Sequence, residues 1–146
     1  MLEKRLLCLI MAFLLPTMAH AESDADPDLK QIMQALRDDS VLIFDGLLVD
    51  DFDAVVEAAT RIADHPEIPA KQIALVAAEL GEEMGAFKQY DTLVHDLSLA
   101  IRSAALENNR SRAIANYQQM INGCLACHFS YRQRVADALS TEAAGT

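Results

Sequence analysis

Apolar side chains recur at intervals of three and four along most of this chain, the spacing of one helical face. Leu29, Ile32, Met33, Leu36, Ser40, Ile43, Phe44 and Leu47 form the first stripe, with Ser40 its single small polar member. Lys30, Gln34, Arg37 and Asp38 fall on the other side, so a helix is expected over 27–49. Asp26-Pro27-Asp28 reads as its start: a capping Asp, Pro at the first helical position and an acid in the first turn. Asp50 and Asp51 can cap a second helix, whose stripe is Phe52, Val55, Val56, Ala59, Ile62 and Ala63 and which ends near His65-Pro66. Pro69 can open a third segment carrying Ile73, Val76, Ala77, Leu80 and Met84, weakened by Gly81 and Gly85. Phe87, Tyr90, Val94, Leu97, Ile101, Ala104 and Ala105 keep the period, so 69–107 reads either as one kinked helix or as a short helix followed by a long one. Asn108-Asn109 is the clearest polar break. The last helix runs over about 111–139 through Ile114, Tyr117, Ile121, Cys124, Leu125, His128, Val135 and Leu139, with Ser140 to Thr146 as a frayed tail. No stretch alternates as a strand would, and there is no repeat or long linker. The expected fold class is all-α, an antiparallel four-helix bundle.

The first residues follow a different plan. Glu3, Lys4 and Arg5 precede ten unbroken apolar residues, Leu6 to Leu15. Pro16 and the small-x-small triplet Ala19-His20-Ala21 come next. This is the layout of a secretory signal peptide, too short to span a bilayer stably. Residues 1–21 are therefore expected to be cleaved after Ala21, leaving a single domain over 22–146 in the periplasm. The leader takes Cys8 and His20 with it. Its one acid and two bases change the net charge from −10 to −11.

Composition narrows the function classes. A strongly acidic chain without a basic run lacks the electrostatic footprint for nucleic acid or an anionic membrane surface. Any docking partner is expected to present a basic face. The 24 Ala against 5 Gly and 4 Pro favour helices over turn-rich β structure. Three Cys are too few for a disulfide scaffold, and only Cys124 and Cys127 survive cleavage.

Those two belong to Cys124-Leu125-Ala126-Cys127-His128, the C-x-x-C-H signature of covalent haem attachment. Thiols three apart on a helix can each form a thioether to one of the two vinyl groups of a single haem. The adjacent imidazole then reaches the iron from the same side. Two other chemistries compete. A thiol–disulfide oxidoreductase also uses C-x-x-C, but wants a strand leading into the motif and a βαβ context. A zinc site would have three ligands here, with no second C-x-x-C or H-x-x-x-H to complete a structural set.

A sixth ligand to the haem iron would have to come from upstream. Only 18 residues follow His128, and none is Met, His or Cys. Met120 lies on the same helix and cannot reach the opposite haem face. Met33, Met84, His65 and His95 remain. Each has a plainer reading: Met33 as core filling, His65 as a solvated helix end, His95 as a partly buried structural residue. Met84 is flanked by two acids and two glycines. Arg132, one turn after His128, can pair with a haem propionate, or stand solvated near the helix C-terminus. Phe129 and Tyr131 read as packing residues.

The end Cys124-x-x-Cys127-His128-Phe129-Ser130-Tyr131-Arg132, closing a four-helix chain behind a signal peptide, resembles the class II cytochromes c, comprising cytochrome c′ and the low-spin cytochrome c556 type. The resemblance covers nearly all the mature chain. It implies one haem c held by Cys124 and Cys127, with His128 as proximal iron ligand, Arg132 at the family's basic position and Met33 at the distal position of the first helix. With Met33 ligated the expected function is one-electron transfer between redox partner proteins. Without it the iron is five-coordinate and binds nitric oxide or another small gas. Neither role is enzymatic. The family also implies a homodimer through the first two helices. Two departures stand out: Leu29 occupies the position one turn before Met33 where an Arg often sits, and Pro69–Met84 reads as more helical than the usual connection.

Overall fold

The computed structural model describes residues 27–143, and the segment 1–21, read above as a signal peptide, lies outside them. Every regular element among the described residues is helical: α1 (Leu29–Val49), α2 (Phe52–Ala63), α3 (Ala70–Leu80), α4 (Met84–Leu106) and α5 (Arg110–Ala143). A single 3-10 turn, Gly81–Glu83, joins α3 to α4.

Local chemistry sets the boundaries. Asp28, rather than Asp26, caps α1. Its carboxylate accepts from the Gln31 backbone N–H at 2.7 Å, while the Gln31 amide oxygen accepts from the Asp28 N–H at 2.8 Å. This reciprocal box satisfies two donors that a helix start would otherwise leave unpaired. Asp51 caps α2 as its sequence position suggests, accepting from Ala54 N–H at 3.1 Å. The α1–α2 corner is tight. A side chain at Gly46 would place its Cβ 2.8 Å from Val55 Cγ2 and 2.9 Å from the Asp51 carbonyl oxygen.

Residues 69–107 form two helices. Gly81 adopts φ +54° with ψ −121°, a positive-φ conformation that breaks the α-helical path at little cost only for glycine. Asn108 turns the chain with φ 51°, and the Asn109 side chain accepts from Arg112 N–H at the start of α5. The last helix continues to Ala143, past the position where the sequence suggests fraying.

Burial organises two apolar clusters. The larger contains Ile43, Leu47, Val55, Ala58, Ala59, Ile62, Ile101, Ala104, Ala105, Ala113 and Met120, from α1, α2, α4 and α5. The smaller joins Leu29, Val76, Leu80, Tyr131 and Val135, from α1, α3 and α5. The most extensive helix contacts are α4 with α5, α2 with α4, and α1 with α2; α1 meets α5 only sparsely. Arg134 fastens α5 to the α3–α4 junction through Glu79 at 3.2 Å and Glu83 at 2.8 Å. No helix among the described residues is long and apolar enough to cross a membrane.

Candidate functional site

The C-x-x-C-H motif lies in the interior of α5, remote from both helix ends. The 3.6-residue period puts Cys124, Cys127 and His128 on neighbouring positions of one face. The two thiols look into different surroundings. Cys124 is half-buried against the larger cluster, and Cys127 is half-buried against the smaller one. His128 is exposed, as is Leu125 beside it.

Burial pushes both thiols upward, Cys127 to about 11 with Cys124 and Asp91 as further negative neighbours. A redox-exchange cysteine needs the opposite, a thiolate stabilised near neutral pH. No strand precedes the motif among the described residues, so the βαβ context of such enzymes is missing as well. Nor do any three His, Cys, Asp or Glu side chains among the described residues converge as ligands for a metal ion.

Beside the motif runs the thinly packed junction of α1 and α5. One end is closed by Tyr117 of α5. Its hydroxyl donates to the Ser40 carbonyl at 3.1 Å, and its ring stacks on Phe44 with centroids 6.4 Å apart. Phe44, Tyr117, Gln118, Ile121 and Asn122 line a cavity of about 480 Å³ on this side. Near the other end, Leu29 belongs to the same buried cluster as Tyr131 and Val135. Tyr131 meets Phe87 and Tyr90 edge-on, at 5.7 and 6.2 Å between centroids.

The remaining sequence candidates fall out as follows. Met33 is 37% exposed and belongs to neither cluster, while Ile32 beside it is buried. It is therefore not the core filling that helical periodicity alone suggests. Met84 packs on the smaller cluster as an apolar residue. His65 is not a solvated helix end. Its Nδ1–H donates to the Pro66 carbonyl at 2.8 Å and its Nε2 lies 3.5 Å from Asp91, whose hydrogen bond raises the imidazole's proton affinity. His95 is half-buried as expected and donates from Nδ1 to the Ala63 carbonyl at 3.1 Å. Arg132 is exposed and has no ion-pair partner among the described residues; Arg134 makes the salt bridges instead. Tyr131 packs as expected, whereas Phe129 is 95% exposed and packs on nothing.

In the sequence Tyr117 stands out only as a stripe position. Its place seven residues before Cys124, two turns away on the same face, was the available signal for a role near the motif.

Neither family models, curated proteins nor solved structures give a match to this chain.

Proposed function

We propose that this chain is a periplasmic monohaem c-type cytochrome of class II type that transfers single electrons. The reading rests on one observation above the rest: Cys124, Cys127 and His128 share a face of an uninterrupted helix, with both thiols half-buried and the imidazole exposed. Two thioethers need thiols held one turn apart, and the apolar residues around Cys124 and Cys127 would pack against the porphyrin. An unengaged imidazole one residue later is the donor an iron at the porphyrin centre requires.

The α1–α5 junction supports an antiparallel four-helix bundle with the cofactor in it. Ser40 faces Tyr117, while Leu29, earlier in α1, shares a cluster with Tyr131 and Val135, later in α5. Counting seven residues from Ser40 back to Met33, and seven from Tyr117 on to Cys124, brings Met33 level with the motif. The partial exposure of Met33 and its independence of both clusters leave its thioether free to serve as the distal ligand. Haem, when bound, would supply the reversible one-electron iron couple, and the Met33 thioether would raise its potential. Tyr131, Leu29 and the half-buried cysteines exclude water from one edge. Arg132, exposed and without a carboxylate partner among the described residues, is available to a propionate.

Leu29, one turn before Met33, contributes no charge or hydrogen-bonding group to the distal side. Should Met33 not ligate, that apolar side suits a small neutral gas such as nitric oxide at a five-coordinate iron. The test is a haem stain on the denatured, gel-separated full chain expressed with a c-type maturation system, followed by a ferric absorption spectrum. Stain retained after denaturation supports the cytochrome. A Met–iron charge-transfer band that Met33→Ala abolishes supports electron transfer, and a high-spin wild-type spectrum supports the gas-binding form. Absence of stain contradicts both.

A further inference from the structure

We propose that Tyr117 is a positioning residue that holds α1 at a fixed distance from α5 and so controls access of ligands to the distal side of the iron, an inference that rests on the cytochrome reading above. The two helices meet sparsely, in contrast to the extensive α1–α2 and α4–α5 contacts. At their far end an ion pair joins Arg110 to Asp50. Nearer the motif, the Tyr117 hydroxyl donates across the junction to the Ser40 carbonyl at 3.1 Å, and Phe44 stacks on the same ring at 6.4 Å and 27° between planes. This contact links residues 77 apart in sequence. It lies about 10 Å along the helix axes from the level of Met33 and Cys124, two turns on each side.

A phenol is suited to this role. Its ring spans the gap as a rigid strut, and its hydroxyl fixes the strut to one backbone atom, which sets both spacing and register. The acceptor is a main-chain carbonyl in mid-α1, so the restraint acts on the helix as a body. Burial raises the proton affinity of the phenol, with Cys124 and Asp45 nearby, so the hydroxyl stays a donor at neutral pH. Phe44, the other half of the strut, lies eleven residues after Met33 on the neighbouring edge of α1.

The experiment uses full-length holoprotein and imidazole as the probe, which must enter between α1 and the ferric iron. Tyr117→Phe keeps the ring and removes the donor. It is expected to retain the haem stain, bind imidazole about fivefold more tightly through loss of one hydrogen bond, and show a weaker Met–iron band. Phe44→Leu, which spares the hydrogen bond, should give a smaller increase and keeps the idea testable if Tyr117→Phe fails to fold. Gly81→Ala, at the α3–α4 junction and outside the Tyr117–Ser40–Phe44 contact, serves as a control that lowers the melting temperature without altering imidazole affinity. Haem present in all variants with unchanged imidazole binding in both cleft variants overturns the positioning role alone. An equal rise in Gly81→Ala overturns it too, by reducing it to general destabilisation. Lack of haem in the wild type overturns the cytochrome reading, and this inference with it.

Discussion

Cys124 and Cys127 stand one turn apart on α5 yet pack against different apolar clusters, one shared by α1, α2, α4 and α5, the other by α1, α3 and α5. Each thiol therefore has its own half-buried surroundings. Cys124→Ala and Cys127→Ala, taken singly, should each keep a covalent haem through the remaining thioether. The double variant should lose the haem stain completely. A single variant that loses all stain would show that the two bonds form only together.

The His65–Asp91 contact predicts a pH-dependent stability difference. The folded-state proton affinity of His65 is raised above its ordinary value of 6.5, so its contribution is complete below that pH and is lost as pH rises through the folded value. Asp91 is held below its ordinary 3.8, so its contribution is complete above that pH and is lost as pH falls through the lowered value. The pair thus stabilises most between these limits. Asp91 is 58% exposed, which limits the effect to about 0.5 kcal/mol after solvent screening. Melting curves of wild type and Asp91→Asn should differ at pH 5.5 and converge by pH 8.5. A constant gap would assign the effect to something other than this pair.

Two glycines should respond to alanine for different reasons. At Gly46 the added Cβ meets the Asp51 carbonyl at 2.9 Å, a backbone atom that cannot swing aside. Gly46→Ala should cost about 1–3 kcal/mol by overpacking. At Gly81 nothing lies within 4 Å, and only the backbone, φ +54° with ψ −121°, penalises a side chain, by about 1–3 kcal/mol. Denaturant unfolding should find both variants destabilised, Gly46→Ala by overpacking and Gly81→Ala by backbone strain alone. A Gly46→Ala variant as stable as the wild type would contradict the geometry of the α1–α2 corner.

Arg61 and Asp39 supply a further check on α1–α2 packing. Asp39 is 8% exposed, and its carboxylate accepts from Arg61 Nε at 2.7 Å. Arg61→Ala leaves a buried carboxylate without its partner and should cost about 1–3 kcal/mol. Asp39→Asn, which keeps the acceptor and removes the charge, should cost less. Equal losses on thermal unfolding would show that the charge, and not the unsatisfied acceptor, dominates.

The helices were readable in the sequence because each carries its own periodic stripe and cap. The α1 stripe, the Asp51 cap and the Asn108-Asn109 break all recur in the fold. The α1 cap was displaced by two residues because Asp26-Pro27 and Asp28-x-x-Gln31 are both valid start signals, and the reciprocal Asp28–Gln31 bonds satisfy more backbone donors. Whether 69–107 bends or breaks turned on a single φ at Gly81, which glycine permits but does not dictate. Side-chain environments were less legible. Ile32 and Met33 are adjacent and both apolar, and periodicity cannot say which of them faces the core. His65 looked like a free helix end because its partner Asp91 lies on α4, and Phe129 gave no sign that its face would meet nothing. The C-x-x-C-H motif was legible as a pattern, because its spacing is local, and the unbroken α5 presents it on one face.

The central claim is that Cys124 and Cys127 carry one haem. Intact-mass spectrometry of the denatured full chain, expressed with a c-type maturation system, tests it most directly. The predicted result is the mass of residues 22–146 plus a single haem, falling to the bare polypeptide when both cysteines are replaced by alanine. A wild-type mass without haem, with two free thiols or a disulfide in its place, would contradict the account.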